Sequence, residues 1–240
     1  MLNESETRIV QLIGRMYFLT AGQVVRRYYS AGSKTLVGSY LKALTESGYL
    51  TRRGFKPSLQ GGSYPYVYSL SPKGRRELVR TGYLPNQRYR PSEEEALRTY
   101  PDHTLAINDV LIAGELSGKL TRFVHERTIN RIRPPYRPDG YLECGNTGFL
   151  LEVDRDTEAF EFWDRKIARL CAFVGSDNYT KYFELFEGVL VVVPDQSRLD
   201  LLTRWTKASL DRLGLPDWLQ LFRFLTHAEA CDPERLAQHL

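Results

Sequence analysis

Between Gly48 and Leu70 the chain changes its period. Two segments, GYLTRRGFK and YPYVYSL, alternate like strands and are joined by the loose, glycine-containing PSLQGGS. What flanks them restricts the fold: three segments with helical spacing come before, and a capped helix start comes after. In ETRIVQLIGRMYFLT, Ile9, Leu12, Ile13 and Met16 recur at helical spacing, which predicts a helix over about Glu6 to Phe18. Thr20 and Gln23 have capping-box spacing and open a second helix, AGQVVRRYY. Gly32 can take up a sharp turn and Ser33 can cap a third helix, KTLVGSYLKALTES, whose apolar stripe is Leu36, Val37, Tyr40, Leu41 and Leu44. After the two strands, Ser71 and Pro72 start SPKGRRELV, the serine as cap and the proline in the first turn.

Helix, helix, helix, strand, loose tip, strand, helix is the order of a winged helix-turn-helix. LTESGYLTRRG followed by YSLSPKGRREL resembles winged-helix DNA-binding domains. The third helix turns Lys34, Thr35, Gly38, Ser39 and Lys42 away from its stripe. Small or cationic side chains on an open face suit close approach to a major groove, where lysine meets phosphate or guanine and Ser or Thr can bond to several bases. A merely solvated face has the same composition. Arg52, Arg53 and Lys56, placed beside the tip to reach phosphates, and Tyr64, placed to pack on a sugar, tip the balance toward nucleic acid.

Charge points the same way. Residues 1–90 hold 15 Lys and Arg against 4 Asp and Glu, whereas residues 91–240 hold 18 against 25, so a net +4 conceals a basic piece and an acidic one. A basic piece gains affinity for polyanions by displacing their condensed counterions. The expected domains are therefore 1–90 and 91–240, with a polar hinge in NQRYRPSEEEALRTY, Asn86 to Tyr100. Cys144, Cys171 and Cys231 are widely spaced, with no CxxC pair, which fits a reducing cytoplasm rather than a disulfide scaffold or structural zinc. No apolar run is long enough for a membrane helix, and the start lacks a signal-peptide layout, so a soluble, cytoplasmic protein is expected.

The acidic piece begins with a helix, YPDHTLAINDVLIAGELSGKL, with Leu105, Ile107, Val110, Leu111 and Leu116 toward a core; His103 near its start is a cap or structural residue before it is a ligand. TRFVHERTIN reads as a strand with His125 and Glu126 near its middle, Glu126 being a candidate outer carboxylate. RPDGYLEC and TGFLLEVD form a hairpin around GNTG. The two-residue period puts Glu152 and Asp154 on one side, with Asp139 facing Glu152 if the register allows. Converging carboxylates would suit Mg2+ or Mn2+, which can lower the pKa of a bound water and stabilise charge on an attacked phosphate. Asp154 and Asp156 could equally cap a following helix, and a buried Glu152 could pair with Arg127, Arg137 or Lys166. The helix EAFEFWDRKIARLCAFV offers Phe162, Ile167, Leu170, Cys171 and Phe173 to the core; LFEGVLVVVPD reads as a strand buried on both faces; SRLDLLTRWTKASLDRLG is an amphipathic helix; and WLQLFRF is core or a dimer surface. A mixed sheet covered by helices follows.

RPDG, FLLEVDRDTE and KIARLCAF, together with HTLAINDVLIA and the winged helix before it, resemble the replication-relaxation family of plasmids and mobile elements, over roughly residues 5–195. The resemblance implies an α+β protein: a winged helix-turn-helix followed by a mixed α/β domain of the PD-(D/E)xK nuclease type. It also implies a part in replication control. Pro138-Asp139 would be the first half of the nuclease pattern and Glu152 its acidic second half. Asp154 stands where that pattern has lysine, and Lys166, one helix later, is placed to return an ammonium. In an active enzyme Asp139, Glu152 and Lys166 would be catalytic, with Asp139, Glu152 and Asp154 on Mg2+ or Mn2+. The leading expectation is a double-stranded DNA-binding regulator of replication or transcription, a homodimer, with replication proteins as further partners. The alternative is a metal-dependent DNA endonuclease, and a third is an RNA reader or scaffold.

Overall fold

A computed structural model describes residues 2–54, 66–85, 101–156, 158–176 and 178–240. They pack into two compact units, Met1–Asn108 and Asp109–Leu240.

In the first unit, α1 (Glu4–Met16) begins earlier than its apolar spacing suggests, because Asn3 and Glu6 form a reciprocal capping box at 2.9 Å each way. It also ends earlier. Tyr17 takes φ 68° and ψ −46°, and Phe18, expected to close the helix, starts β1 (Phe18–Thr20) instead. Thr20 caps α2 (Ala21–Tyr28) through the box with Gln23. A 3-10 turn, Ala31–Ser33, leads into α3 (Lys34–Glu46), so Ser33 makes no side-chain cap. β2 (Leu50–Gly54) pairs antiparallel with β3 (Tyr66–Leu70), placing Arg52 opposite Tyr68, and β1 joins the other edge of β3. Ser71 caps α4 (Pro72–Arg80), its Oγ accepting from the Gly74 amide at 3.0 Å. Gly74 is required there, since a Cβ would strike the Tyr49 carbonyl.

This is a winged helix-turn-helix, held by Ile9, Leu12, Ile13, Val37, Leu41 and Leu44, all fully buried. Leu36 departs from the expected stripe and is 48% exposed. The buried positions 37, 41 and 44 repeat at i, i+4 and i+7, and Leu36 lies a helical step outside them.

The expected boundary near residue 90 lies outside the described residues, and the packing boundary falls inside α5 (Pro101–Leu116). The reason is hydrogen bonding. The Asn108 amide donates to the carbonyls of Met16 and Phe18 at 3.1 and 2.8 Å, on either side of the Tyr17 corner, and Gln23 Nε2 donates to Leu105 O at 2.8 Å. Leu105 packs with Phe18 and Val67.

The second unit is built on a five-stranded sheet: β4 (Arg122–His125), β5 (Gly140–Cys144), β6 (Thr147–Val153), β7 (Gly188–Val193) and β8 (Phe222–Thr226), side by side in that order. The first three are antiparallel neighbours, and β7 and β8 run parallel to β6. TRFVHERTIN is not one strand. It stops at His125, whose Nδ1 accepts from the Arg127 amide at 3.3 Å and caps α6 (Glu126–Ile132). Gly145, at φ 60°, makes the tight turn between β5 and β6. α7 (Phe160–Gly175) and α8 (Gln196–Leu213) cover one face, packing Trp163, Ile167, Leu170, Leu202 and Leu210 on Val189, Val191 and Val193.

Two core expectations are corrected here. Phe162 is 62% exposed, and its neighbour Trp163 is the buried one, its Nε1 donating to Thr206 Oγ1 at 2.9 Å across α7 and α8. Leu116 is 40% exposed at the end of α5. WLQLFRF resolves into a 3-10 turn running into β8, with Phe222 and Leu225 buried in the core. Two short helices, α9 (His227–Ala230) and α10 (Pro233–Ala237), follow. Among the described residues no helix is long and apolar enough to cross a membrane.

Candidate functional site

The α3 face outside the buried stripe carries Lys34, Thr35, Ser39 and Lys42, all exposed. Its one acid is Glu46, a weak partner 3.8 Å from Lys42 Nζ. The Ser39 hydroxyl donates to the Thr35 carbonyl at 3.1 Å, which orients it along the helix. Arg52 and Arg53 stand exposed on β2, and the Arg52 guanidinium lies over the Tyr66 ring, 4.3 Å from its centre. Tyr66, 48% exposed at the wing base, was not singled out by the sequence, although its place across the hairpin from Arg52's neighbourhood follows from the strand register. Lys56 and Tyr64 lie outside the described residues.

In the second unit the structure gathers Asp139, Glu152 and Lys166. The pairing of Gly140 with Leu151 brings the start of β5 against the end of β6, and the Val153 amide donates to Asp139 Oδ2 at 2.8 Å. Glu152 points into the core and is 1% exposed. Its Oε1 accepts from the Tyr136 hydroxyl at 2.6 Å, and Lys166 Nζ lies 2.7 Å from its Oε2 and 3.2 Å from Glu158 Oε1. Burial pushes the Glu152 carboxyl up to about 7, against the lowering influence of Lys166, while the nearby Asp139 charge adds to the rise. Burial also works against the Lys166 ammonium, but the Glu152, Asp139 and Glu158 carboxylates outweigh it and keep its pKa above the ordinary lysine value. Glu126, first residue of α6, brings a carboxylate oxygen within 4.8 Å of one on Asp139.

Asp154 is turned elsewhere. β6 ends at Val153, and Arg198 on α8 takes both Asp154 oxygens, Nε to Oδ2 at 2.7 Å and Nη2 to Oδ1 at 3.0 Å. The Asp156 amide adds a third donor on Oδ2 at 2.9 Å. A divalent Mg2+ or Mn2+ would bind here through carboxylate oxygens. Here Glu152 is held by Tyr136 and Lys166, Asp154 by Arg198, and Asp139 Oδ2 by a backbone amide. Of the three, Asp154 is the one whose two oxygens both accept from an arginine.

Sequence reasoning missed Tyr136 and Arg198. Nothing in PPYRPDG marks Tyr136 as a donor to Glu152. Arg198 had a signal: it sits one helical turn before the buried Leu202, on the face of α8 that goes inward, where a cation must find an acid.

Beside Lys166 opens a cleft of about 1050 Å³, with Arg137, Arg165 and Arg169 on its walls and Phe162 and Tyr136 among its aromatic lining. The Arg165 guanidinium sits 4.6 Å over the Phe162 ring, which accounts for the exposure of that phenylalanine.

A family model described as Replication-relaxation matches residues 10–189, three quarters of the chain. The chain belongs to the replication-relaxation family. The matched stretch of this replication-relaxation protein runs from α1 into β7 and includes Asp139, Glu152, Asp154 and Lys166, whereas Arg198 lies beyond it. No curated protein matches the chain. Among solved structures, the crystal structure of Bacillus subtilis PadR in complex with operator DNA is matched at 14% identity, over 92% of this chain and 98% of that one, with a TM-score of 0.29. A likeness that loose carries no argument about this family member.

Proposed function

We propose that this replication-relaxation protein is a double-stranded DNA-binding regulator of replication or transcription on a plasmid or mobile element. The observation that carries the reading is the α3 face: Lys34, Thr35, Ser39 and Lys42 lie exposed together, with Arg52 and Arg53 on the wing strand of the same unit. Leu36 adds an apolar group suited to a thymine methyl. The +11 balance of residues 1–90 supplies the sequence-independent attraction. The domain division proposed with it gives DNA contact to the first unit, through the basic residues of 1–90, and a PD-(D/E)xK-like domain to the second. A homodimer fits, because winged helices commonly read twofold-related half-sites.

The second unit serves in this reading as a nuclease-type domain that does not cut, used for dimerisation or for contact with replication proteins. Two things support it: Asp154, at the lysine position, is paired through both oxygens with Arg198, and the cleft walls are cationic, as an acidic partner surface would require. Titration of labelled duplex DNA at several salt concentrations tests the proposal. Binding should weaken steeply with salt and drop in Lys34→Ala/Lys42→Ala; duplex binding indifferent to both would sink it. Including Mg2+ or Mn2+ addresses the other possibility: cleavage lost in Asp139→Ala and Glu152→Ala would make the protein an endonuclease. A preference for RNA over duplex DNA would point to neither.

A further inference from the structure

A second group of metal-type side chains stands in the second unit on other elements. His227 is the first residue of α9 and Cys231 its C-cap, whose amide donates to the His227 carbonyl at 3.0 Å. Four residues apart on one helical turn, their side chains share a face. Asp109, on α5, meets them there. His227 Nε2 lies 3.3 Å from Asp109 Oδ2 and 3.6 Å from Cys231 Sγ, with Nδ1 3.7 Å from the same sulfur. One ligand atom from each of the three falls within 4.8 Å of the others.

Asp109 and His227 lie within ion-pair reach of each other, and the Cys231 thiol adds a third donor of the kind metals take. Zinc bound at about 2.05 Å by nitrogen and oxygen and about 2.3 Å by sulfur sets tetrahedral edges of about 3.4 Å for N to O and about 3.6 Å for N to S. The Asp109–His227 separation of 3.3 Å is near the first of these, and Sγ, 3.6 and 3.7 Å from the two ring nitrogens, takes up the second once the imidazole turns its Nε2 lone pair toward the sulfur. Thiolate, imidazole and carboxylate together suit zinc, while magnesium takes oxygen alone.

We propose that Asp109, His227 and Cys231 form a zinc site. Cys231 also lines a cleft of about 760 Å³ with Ser117, Asp232 and Glu234, which gives the ion a way in and leaves its fourth position to water. Asp232 is already occupied, its Oδ1 accepting from the Glu234 and Arg235 amides. The side chains of Asp109 and His227 are 18% and 33% exposed, sheltered yet reachable. His227 and Cys231 lie beyond residues 10–189, so the site is not part of the matched family stretch. Its effect is to pin the turn after β8 onto α5.

The test uses the full chain, stripped with a chelator and then dialysed against Zn2+ or Co2+. One zinc per chain is expected, with a thiolate-to-cobalt charge-transfer absorption in the Co2+ form. Both should be lost in Cys231→Ser and in His227→Gln, and uptake should weaken in Asp109→Asn. Wild type that takes up no zinc, or uptake unchanged in both Cys231→Ser and His227→Gln, overturns the site. Should those variants fail to fold by circular dichroism, alkylation of the wild type decides. Zinc must then slow modification of Cys231, with Cys144 and Cys171, which are buried, as internal references; an unchanged rate refutes the proposal.

Discussion

Arg198 and Asp154 are joined by two hydrogen bonds at 2.7 and 3.0 Å, with 6% and 0% of their side chains exposed. The position where the nuclease pattern has a lysine thus holds an acid that answers to an arginine from the next helix but one. Breaking such a pair from one side leaves a buried charge alone. Arg198→Met should cost about 3–5 kcal/mol, and Asp154→Leu/Arg198→Met should recover most of it. All three tryptophans, Trp163, Trp205 and Trp218, lie in the second unit, so urea unfolding followed by their fluorescence reads this pair directly. A double variant no more stable than Arg198→Met would contradict the pairing.

Lys166→Met should destabilise the second unit in a pH-dependent way. An acid whose folded pKa is raised favours the fold at low pH, and that contribution is lost as pH rises through the folded value. Glu152 already stands at about 7 against an ordinary 4.5, and losing the ammonium raises it further. The deficit relative to wild type should be small near about pH 5 and grow through neutrality toward about 3 kcal/mol. Glu152→Gln/Lys166→Met should abolish the slope. Unfolding curves across that range settle it, and a deficit that does not change with pH counts against the ion pair.

On the α3 face, Lys34→Ala and Lys42→Ala should each lower the slope of log duplex affinity against log salt by about 0.9, with little change in melting temperature because both residues are exposed. Thr35→Ala and Ser39→Ala should instead change which sequence is preferred, by about 1–3 kcal/mol for any true base contact. Fluorescence anisotropy on duplexes of varied sequence separates the two effects. If the lysine variants keep the full salt slope, α3 is not the phosphate-contacting helix.

Asn108→Ala strips the hydrogen-bond donor from the carbonyls of Met16 and Phe18. With Asn108 fully buried, the loss should be about 2 kcal/mol or more, felt in the first unit. Hydrogen exchange of the α1 and β1 amides should quicken; unaltered protection there would mean water replaces the side chain.

The helices and strands of the first unit were legible because each rests on local rules: a capping box at Thr20, a proline after Ser71, a two-residue period through Tyr66–Leu70; the wing tip, PSLQGGS, lies outside the described residues. Asp139, Glu152 and Lys166 were legible as candidates because strand alternation and the family pattern name them. Their state was not. Whether a carboxylate is open or spent depends on Tyr136 and Arg198, which reach it from 16 and 44 residues away in the chain. Leu36 and Phe162 misled for a related reason. Composition makes them core, whereas helical phase puts Leu36 outside the stripe, and Arg165 offers Phe162 a cationic cover at the surface.

The amide of Asn108 has one more consequence. Charge and composition draw the border of the basic module near residue 90, but residues 101–108 supply Leu105 to its core and the donors that hold the Tyr17 corner. A shuffling event that replaced the winged helix of this protein with another would have to carry that extra stretch of helix along. The unit that can be inherited intact is longer than the unit that can be recognised by its charge.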